Sequence, residues 1–396
     1  MSKNNQTPSD TADILIEIGC EELPAAELYQ LIDDFASQIE ADLEKAQLTF
    51  KEINKFATPR RLALVVRKLQ TSQKDREIDR RGPSVKAAYQ EDDKSKPTQA
   101  AIGFAQSCGI EVEKLTSIST DKGEYLSAKV TINGLHINQL LPSMLNSIIP
   151  KLTTGRTMRW DDTLINATSS TNFVRPVRWL LALVDQQILE WEMFGLRAGN
   201  ESYGHRFMNE YSGDKPIKIK HADDYEDVLL KQGNVIADIA KRKEMISQSV
   251  EGLSKKAGYS VSEKFTDDLL DELAAITEFP VGYLGEFDKE YLKLPNEVLE
   301  SVLIKSQRYI PLMDASVDAS VDISAKMSPK FIFIANIDSK DAQLLIEGNQ
   351  AVVRPRLADA SFFYQQDLSK TLESRLEQLE KVTFVQQLGS VENKAY

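Results

Sequence analysis

A chain of 396 residues is too long for one ordinary hydrophobic core and suits two or three domains. Hydrophobic residues make up 42% and charged residues 27%, the balance of a soluble globular protein, and no apolar run approaches the roughly 20 residues of a membrane span. The formal net charge of −12 argues against indiscriminate nucleic-acid binding, yet leaves room for one selective basic face. Residues 1–11 are polar, lack the apolar core of an export signal and read as a disordered tail, which points to a cytoplasmic protein. Cys20 and Cys108 are then expected to be reduced, buried thiols.

Residues 14–18 read as a short strand and 19–24 as the turn after it, with Pro24 suited to the first turn of a helix. Leu28, Leu31, Ile32, Phe35, Ile39 and Leu43 then recur at helical spacing. Residues 62–66 are an apolar, β-branched run directly behind Thr58-Pro59 and the pair Arg60-Arg61, and predict a buried strand. Pro59 fixes its own φ and biases Thr58 towards an extended backbone, so the two arginines arrive at the mouth of that strand on a stiff chain. Gly82-Pro83-Ser84 predicts a sharp turn and residues 90–97 a polar loop. A short, closely packed helix is expected over 100–107 and a strand over 125–132. An amphipathic helix is expected over 137–149, with Pro142 in its first turn or breaking it.

Residues 180–184 are another buried run, followed by a hairpin turn at Asp185-Gln186-Gln187 and a returning segment over 188–194. A strand is expected over 216–220, and helices over 225–232, 235–257 and 267–277. Residues 279–285 read as a loop, and a helix capped by Asn296 should run to Gln307. Residues 314–328 carry a duplicated Asp-Ala-Ser-Val and read as a surface insertion. A strand follows over 331–337. From Ala342 the chain reads as helical, with Leu368, Leu372, Leu376 and Leu379 forming one apolar stripe.

Charge is distributed unevenly along these elements. Residues 54–86 hold ten Lys and Arg against Asp75, Glu77 and Asp79, a local balance of about +7 in an acidic protein. Such a reversal marks an anion-binding face or, more plainly, a solvated basic hairpin. A second basic and aromatic stretch, 151–179, contains Arg156, Arg159, Trp160, Arg175, Arg178 and Trp179. Aromatics beside arginines can stack bases, although a Trp leading into Leu-Leu-Ala-Leu is more often core.

No phosphate loop, dinucleotide fingerprint, His-Glu-x-x-His, Cys-x-x-Cys or Gly-x-Ser-x-Gly occurs. His136, His205 and His221 are scattered, so a metal site has little to draw on. The pairs Glu21-Glu22 and Asp161-Asp162 alone are weak signs of acid–base catalysis. Lys326-Met327-Ser328-Pro329-Lys330 is similar to the Lys-Met-Ser-Lys-Ser loop of class I aminoacyl-tRNA synthetases. The His-Ile-Gly-His element that works with that loop is absent, and the stretch reads as a coincidence. An enzyme-sized chain without a nucleotide site invites reading as a recognition subunit.

Several segments together resemble one family. Ile14-Leu-Ile-Glu-Ile-Gly-Cys-Glu-Glu-Leu-Pro-Ala25, Ala57-Thr-Pro-Arg-Arg-Leu-Ala63, Arg81-Gly-Pro-Ser84 and Phe173-Val-Arg-Pro-Val-Arg-Trp-Leu180 are similar to the β subunit of bacterial tetrameric glycyl-tRNA synthetase. So are Gly204-His-Arg-Phe207, Gly348-Asn349 and Arg356-Leu-Ala-Asp-Ala-Ser-Phe-Phe363, in the family's order. The resemblance implies an α subunit that makes glycyl-adenylate from glycine and ATP with Mg, and a β subunit that holds tRNA(Gly) within an α2β2 assembly. It implies no cofactor and no adenylate-forming site in this chain. It also implies that part of the chain resembles the B3/B4 domain of the phenylalanyl-tRNA synthetase β chain. HD-type and anticodon-binding domains would follow beyond this N-terminal portion. Cys20 stands where the family commonly has Thr, Ser306 stands where His is usual, and the 314–328 loop is expanded.

The expected fold is α+β and multidomain, with mixed sheets and packed helices. The expected parts are 12–150, 151–340 and a helical 341–396. The candidate RNA contacts are Arg60, Arg61, Arg80, Arg81, Lys86, Arg156, Arg159, Arg175, Arg178 and Arg206, since arginine offers a planar donor fork to phosphate and a face to bases. Arg178 and Arg206 lie beside apolar sequence and are the ones expected to be structural, each paired with a buried acid. The rival functions are a scaffold that only docks α, and a deacylase of mischarged tRNA.

Overall fold

Strand β1 (Thr11–Cys20) is apolar on both sides, so its place is the middle of a sheet covered on both faces. The computed structural model, which describes residues 10–90, 93–121, 123–160, 171–208, 215–314 and 327–395, puts it there. Helix α1 (Ala25–Lys45) starts at Pro24 and buries Leu28, Leu31, Ile32, Phe35, Ile39 and Leu43, the stripe expected from their spacing. Each such side chain contributes about 1.5–3 kcal/mol on full burial. β2 (Glu52–Thr58) and β3 (Arg61–Gln70) form a hairpin whose Pro59 and Arg60 make the turn. β3 also pairs antiparallel with β1, Ile16 opposite Leu64.

β4 (Arg76–Ser84) leads through α2 (Val85–Ala88) to β5 (Tyr89–Gln90) and β6 (Asp93–Pro97). α3 (Gln99–Cys108), β7 (Thr116–Thr120) and β8 (Gly123–Ile132) complete a three-stranded sheet ordered β4-β8-β7. Two expectations change here. Gly82-Pro83 is no sharp turn but a bulge inside β4, where a Cβ on Gly82 would run into the Phe104 ring of α3. The polar loop at 90–97 carries the short β5–β6 hairpin.

α4 (Ile137–Ile148) is opened by a capping box in which His136 accepts from Asn138 and Gln139 accepts from His136. Pro142 lies beyond its first turn and does not break it. β9 (Met158–Trp160) and β10 (Thr171–Phe173) pair, and β11 (Val177–Val184) returns to β1, Ile16 opposite Ala182. β12 (Gln187–Ile188) closes the expected hairpin, with Asp185 at φ +51° supplying the left-handed turn residue. The main sheet therefore runs β12-β11-β1-β3-β2 and takes a strand from either side of residue 150, so a division at 150/151 cuts through it. The segment after Ile188 is a separate hairpin, β13 (Glu192–Met193) and β14 (Leu196–Arg197), rather than one strand. β15 (Glu201–Tyr203) pairs with β16 (Pro216–Lys218), and α5 (Tyr225–Gly233) follows.

The two faces of the main sheet hold different cores. Ile14, Ile16, Ile18, Leu62, Leu64 and Val66 pack on the α1–α4 side, while Leu15, Ala63, Val65 and Leu183 meet Ile217, Tyr225 and Leu229 on the other. α6 (Ile239–Ala257) starts at Asp238, whose carboxylate caps Ala240 and Lys241, rather than at Val235.

β17 (Ser260–Val261), α7 (Asp267–Ala275), β18 (Val281–Glu286), α8 (Asn296–Glu300), β19 (Ile310–Met313) and β20 (Met327–Ala335) build a second sheet, ordered β17-β19-β20-β18. The expected loop at 279–285 is largely β18, paired with β20. Asn296 is the first helical residue, with Pro295 as the cap, and after Glu300 the helix widens to π geometry over Ser301–Ser306. Met327 and Ser328 are buried at the start of β20, which is no setting for a catalytic loop; Lys326 lies outside the described residues, as does most of the duplicated insertion. α9 (Ala342–Leu368) packs Val353 and Leu357 onto this core, and Asn349 accepts from the Tyr309 hydroxyl at 2.6 Å. The expected leucine stripe does not form. The helix ends at Leu368, Leu372 is 82% exposed, and α10 (Leu376–Leu379), β21 (Thr383–Val385), β22 (Gly389–Ser390) and α11 (Val391–Ala395) follow as short pieces. The architecture is α+β. Cys20 and Cys108 are free and buried.

Candidate functional site at the mouth of the central sheet

Register brings Arg61 of β3, Gly19 of β1 and Trp179 of β11 into one row across the sheet. Glu17 lies two residues back on the same face, because side chains alternate along a strand. It is a fully buried carboxylate. Trp179 Nε1 donates to it, Ser202 Oγ donates at 2.6 Å and the Tyr225 hydroxyl at 2.5 Å, while Arg61 stands at 3.7 Å. Arg61 donates to Ser202 Oγ at 3.0 Å, the Tyr203 carbonyl at 2.6 Å, Thr58 Oγ1 at 3.3 Å and Glu278 Oε1 at 3.2 Å. Arg60 donates to the Gly204 carbonyl at 3.2 Å and lies 4.0 Å from Glu278. Both guanidinium groups stand over the Trp179 ring, at 5.7 Å for Arg60 and 5.6 Å for Arg61.

Opposing effects set the charges. Burial alone would raise the Glu278 carboxyl, but Arg61, Arg60, the Thr58 hydroxyl and His205 outweigh it and hold Glu278 below the ordinary glutamate range. Burial likewise pulls the Arg61 guanidinium down, and Glu278 and Glu17 more than reverse this. A carboxyl lowered in the folded chain contributes stability that is present above its unfolded value and lost as pH falls through the folded one. The urea midpoint of the chain is therefore expected to fall as pH drops below about 4.3, the ordinary glutamate value. The fall should be shallower in Glu278→Gln. Parallel pH profiles for the two proteins would show that Glu278 is not a titrating contributor.

A surface layer covers this network. Cys20 N–H donates to the Arg60 carbonyl at 2.8 Å, Glu21 N–H to that of Pro176 at 2.9 Å and Leu23 N–H to that of Pro59 at 2.6 Å. The turn after β1, the β2–β3 turn and the start of β11 are thereby tied together, and Arg60 adds residues 204–207. Arg206 grips Glu21 at 2.7 Å and Glu22 at 3.0 Å, Arg178 lies 3.6 Å from Glu21, and Arg175 Nε donates to the Glu22 carbonyl at 3.0 Å. Arg175 and Arg178 are exposed, Arg206 is half-buried, and Phe207 stands out at 74% exposure. The result is a cationic and aromatic surface on a rigid buried base, suited to contact with an anionic or polar macromolecule.

The sequence-derived candidates divide accordingly. Arg61 is 0% exposed, and Arg60 is buried too, so neither offers a free guanidinium to a phosphate; each carries the second charge of an internal ion pair. Arg206 and Arg178 face Glu21, which is a half-exposed surface acid rather than a buried one. Arg80, Arg81 and Lys86 are exposed on a different part of the molecule, the β4–β8–β7 unit. There Arg80 donates to the Ser107 carbonyl at the end of α3, at 3.1 Å, and Arg81 stacks 3.8 Å over Tyr125. Arg156 is exposed before β9; Arg159 is in β9, its side chain outside the described residues, as are Asp161 and Asp162. Glu17, Ser202, Tyr225 and Glu278 were not foreseen. Only Glu17 gave a signal, as an acid inside an apolar strand. Among the described residues no group of three or more His, Cys, Asp or Glu could hold a metal ion.

Residues 14–396 match the family model described as glycyl-tRNA synthetase beta subunit. The chain is 41% identical over 384 residues to a glycine–tRNA ligase beta subunit of Hahella chejuensis (strain KCTC 2396), covering 97% of this chain and 52% of the relative. A protein of the same name from Psychromonas ingrahamii (strain DSM 17664 / CCUG 51855 / 37) is 39% identical over 383 residues, and one from Coxiella burnetii (strain RSA 493 / Nine Mile phase I) 40% over 385, each with 97% and 52% coverage. The chain thus spans about half the length of the curated relatives it matches.

Proposed function

This chain belongs to the glycyl-tRNA synthetase beta-subunit family, and from that membership we propose that it binds tRNA and a catalytic α subunit to support ATP-dependent glycylation of tRNA. The observation that carries the reading is the match over nearly the whole chain, 14–396. In this reading the α subunit uses ATP with Mg, the assembly is α2β2 in the cytoplasm, and this chain supplies recognition surface. No described helix is long and apolar enough to cross a membrane.

The proposed RNA contacts are the exposed cations Arg80, Arg81, Lys86, Arg156, Arg175 and Arg178. Arg175 and Arg178 are the best placed, because Arg178 lies in β11 and the Pro176 carbonyl between them accepts from the Glu21 N–H. The double variant Arg175→Glu/Arg178→Glu is expected to weaken tRNA binding about equally across tRNA sequences. It should also flatten the dependence of log affinity on log salt by about 1 for each phosphate no longer neutralised. Fluorescence anisotropy with labelled tRNA over a salt titration measures both. An unchanged affinity and slope, with circular dichroism intact, removes these two residues from the RNA interface.

A second reading has its own support. Arg60, Arg61 and Arg206 make ion pairs inside the chain, as a scaffold that only docks the α subunit would have them. Loss of α-subunit co-purification in the same double variant, with tRNA affinity unchanged, favours that reading.

A further inference from the structure

Phe207 is the most exposed aromatic side chain among the described residues, and its exposure does not come from a loose backbone. The Gly204 carbonyl accepts from the buried Arg60 at 3.2 Å, and His205 N–H donates to the Gly233 carbonyl at 2.7 Å. Phe207 N–H donates to His205 Nδ1 at 3.3 Å, and the Asn234 side-chain amide donates to the Met208 carbonyl at 3.3 Å. The turn is thus tied on both sides of Phe207. Its ring meets the buried His205 imidazole edge-on, 6.3 Å between centroids, and the rest faces solvent. The other exposed phenylalanines are occupied differently. Phe362 and Phe363 pack edge-on against each other at 5.5 Å, and Lys394 stands 4.1 Å over Phe384.

The neighbours of Phe207 are cations gathered by two acids. Arg206, the residue before it, pairs with Glu21 and Glu22. Arg178 lies 3.6 Å from Glu21, and Arg175 Nε donates to the Glu22 carbonyl at 3.0 Å. Three guanidinium groups against two carboxylates leave one positive charge in excess, and Arg175 and Arg178 are exposed. An open aromatic face near solvent-facing arginines matches the two chemistries of a nucleotide, a flat base and a charged phosphate. A paired base does not fit, because its neighbours in the stack already cover its faces. An apolar protein surface fits poorly, because it would have to desolvate these charges to reach the ring.

We propose that Phe207 stacks on the base of an unpaired nucleotide of tRNA, with Arg175 and Arg178 on the phosphates nearby. This rests on the reading that the chain binds tRNA. It adds a non-ionic contact to that reading, and a preference for unpaired over paired RNA.

The test measures labelled tRNA binding to the 396-residue chain by fluorescence anisotropy over a salt titration, with Phe207→Ala and Phe207→Trp in parallel. Phe207→Ala is expected to weaken binding about five-fold or more. Stacking releases no counterions, so the plot of log affinity against log salt should move down in parallel, unlike that of the arginine double variant. Phe207→Trp should bind at least as well as the wild type. A short single-stranded RNA should compete with tRNA better than a duplex of the same sequence does, and Phe207→Ala should remove that difference. Circular dichroism checks that each variant folds, as expected for a side chain 74% exposed. If the wild type binds tRNA and Phe207→Ala binds it equally well, the proposal is overturned while the tRNA-binding reading stands. If the wild type binds no tRNA, both fall. Loss of α-subunit co-purification in Phe207→Ala, with tRNA affinity kept, makes the ring a protein contact and also overturns the proposal.

Discussion

Arg61→Met is expected to destabilise the chain by about 3–5 kcal/mol, the usual cost of removing one partner from a buried ion pair. That is a large share of the roughly 5–15 kcal/mol that holds a domain folded. The ion pair itself need not be stabilising against a hydrophobic alternative. What makes the single substitution severe is what remains behind. Glu17 and Glu278 are both buried, and Arg61 is the cation that stands between them. Without it, Glu278 keeps the Thr58 hydroxyl, which donates at 2.7 Å, but its nearest cation is the more distant Arg60, at 4.0 Å, and the Tyr203 carbonyl loses its 2.6 Å donor. Arg61→Lys should be nearly as damaging, because one ammonium cannot span Thr58, Ser202, Tyr203 and Glu278 together. Urea denaturation followed by circular dichroism measures the loss. A second substitution, Glu278→Gln in the Arg61→Met background, removes one stranded charge and should recover part of it, giving a non-additive cycle. A loss under about 1 kcal/mol for Arg61→Met would mean that the two carboxylates find other compensation.

A charge reversal at Arg60 and Arg61 would for the same reason report on folding rather than on contact with a partner. In the sequence the pair looks like a surface hook, because Thr58-Pro59 makes a turn and turns are usually exposed. The local strand was legible: residues 62–66 are apolar and β-branched, and β3 is where they predict it. What the local sequence cannot show is that the Cys20 and Leu23 N–H groups donate to the carbonyls of that turn, or that Glu278, more than 200 positions away, reaches Arg61. Helix α1 was legible for the opposite reason, since its stripe is a property of consecutive residues. The same distinction explains β18, hidden because its glycines, Gly282 and Gly285, read as loop. Each is there because Ser249 of α6 or Phe331 of β20 occupies the space where a side chain would be. It also explains Leu368 and Leu372, whose spacing continued a helical pattern that the chain does not follow. Of the candidate site, the residue types were legible and their partners were not: the arginines were named, while two of the acids that hold them, Glu17 and Glu278, were not.

Gly19→Ala is expected to be strongly destabilising for a change of a single methyl group. Gly19 is not there for backbone freedom, since its φ is not among the positive values. It is there for space. It sits directly opposite both Arg61 and Trp179, and a Cβ built on it would fall inside the indole ring. The ring cannot slide away cheaply, because Nε1 is bonded to the Glu17 carboxylate, Tyr203 packs 4.9 Å from it and both arginines lie over it. Overpacking alone costs about 1–3 kcal/mol. Breaking a bond to a buried carboxylate adds about 1.5–3 kcal/mol. The two together bring Gly19→Ala close to Arg61→Met, although no charge is altered. Urea denaturation again gives the size of the effect, and a second substitution gives its cause. If the clash with the indole is responsible, Trp179→Leu in the Gly19→Ala background should recover stability relative to Gly19→Ala, even though Trp179→Leu alone is destabilising through its lost bond to Glu17. If the double variant is instead as unstable as the sum of the two, the methyl group acts through the β1 bulge at Gly19 and Cys20 rather than through the ring, and the tight stack over Gly19 is not what fixes the arginine pair.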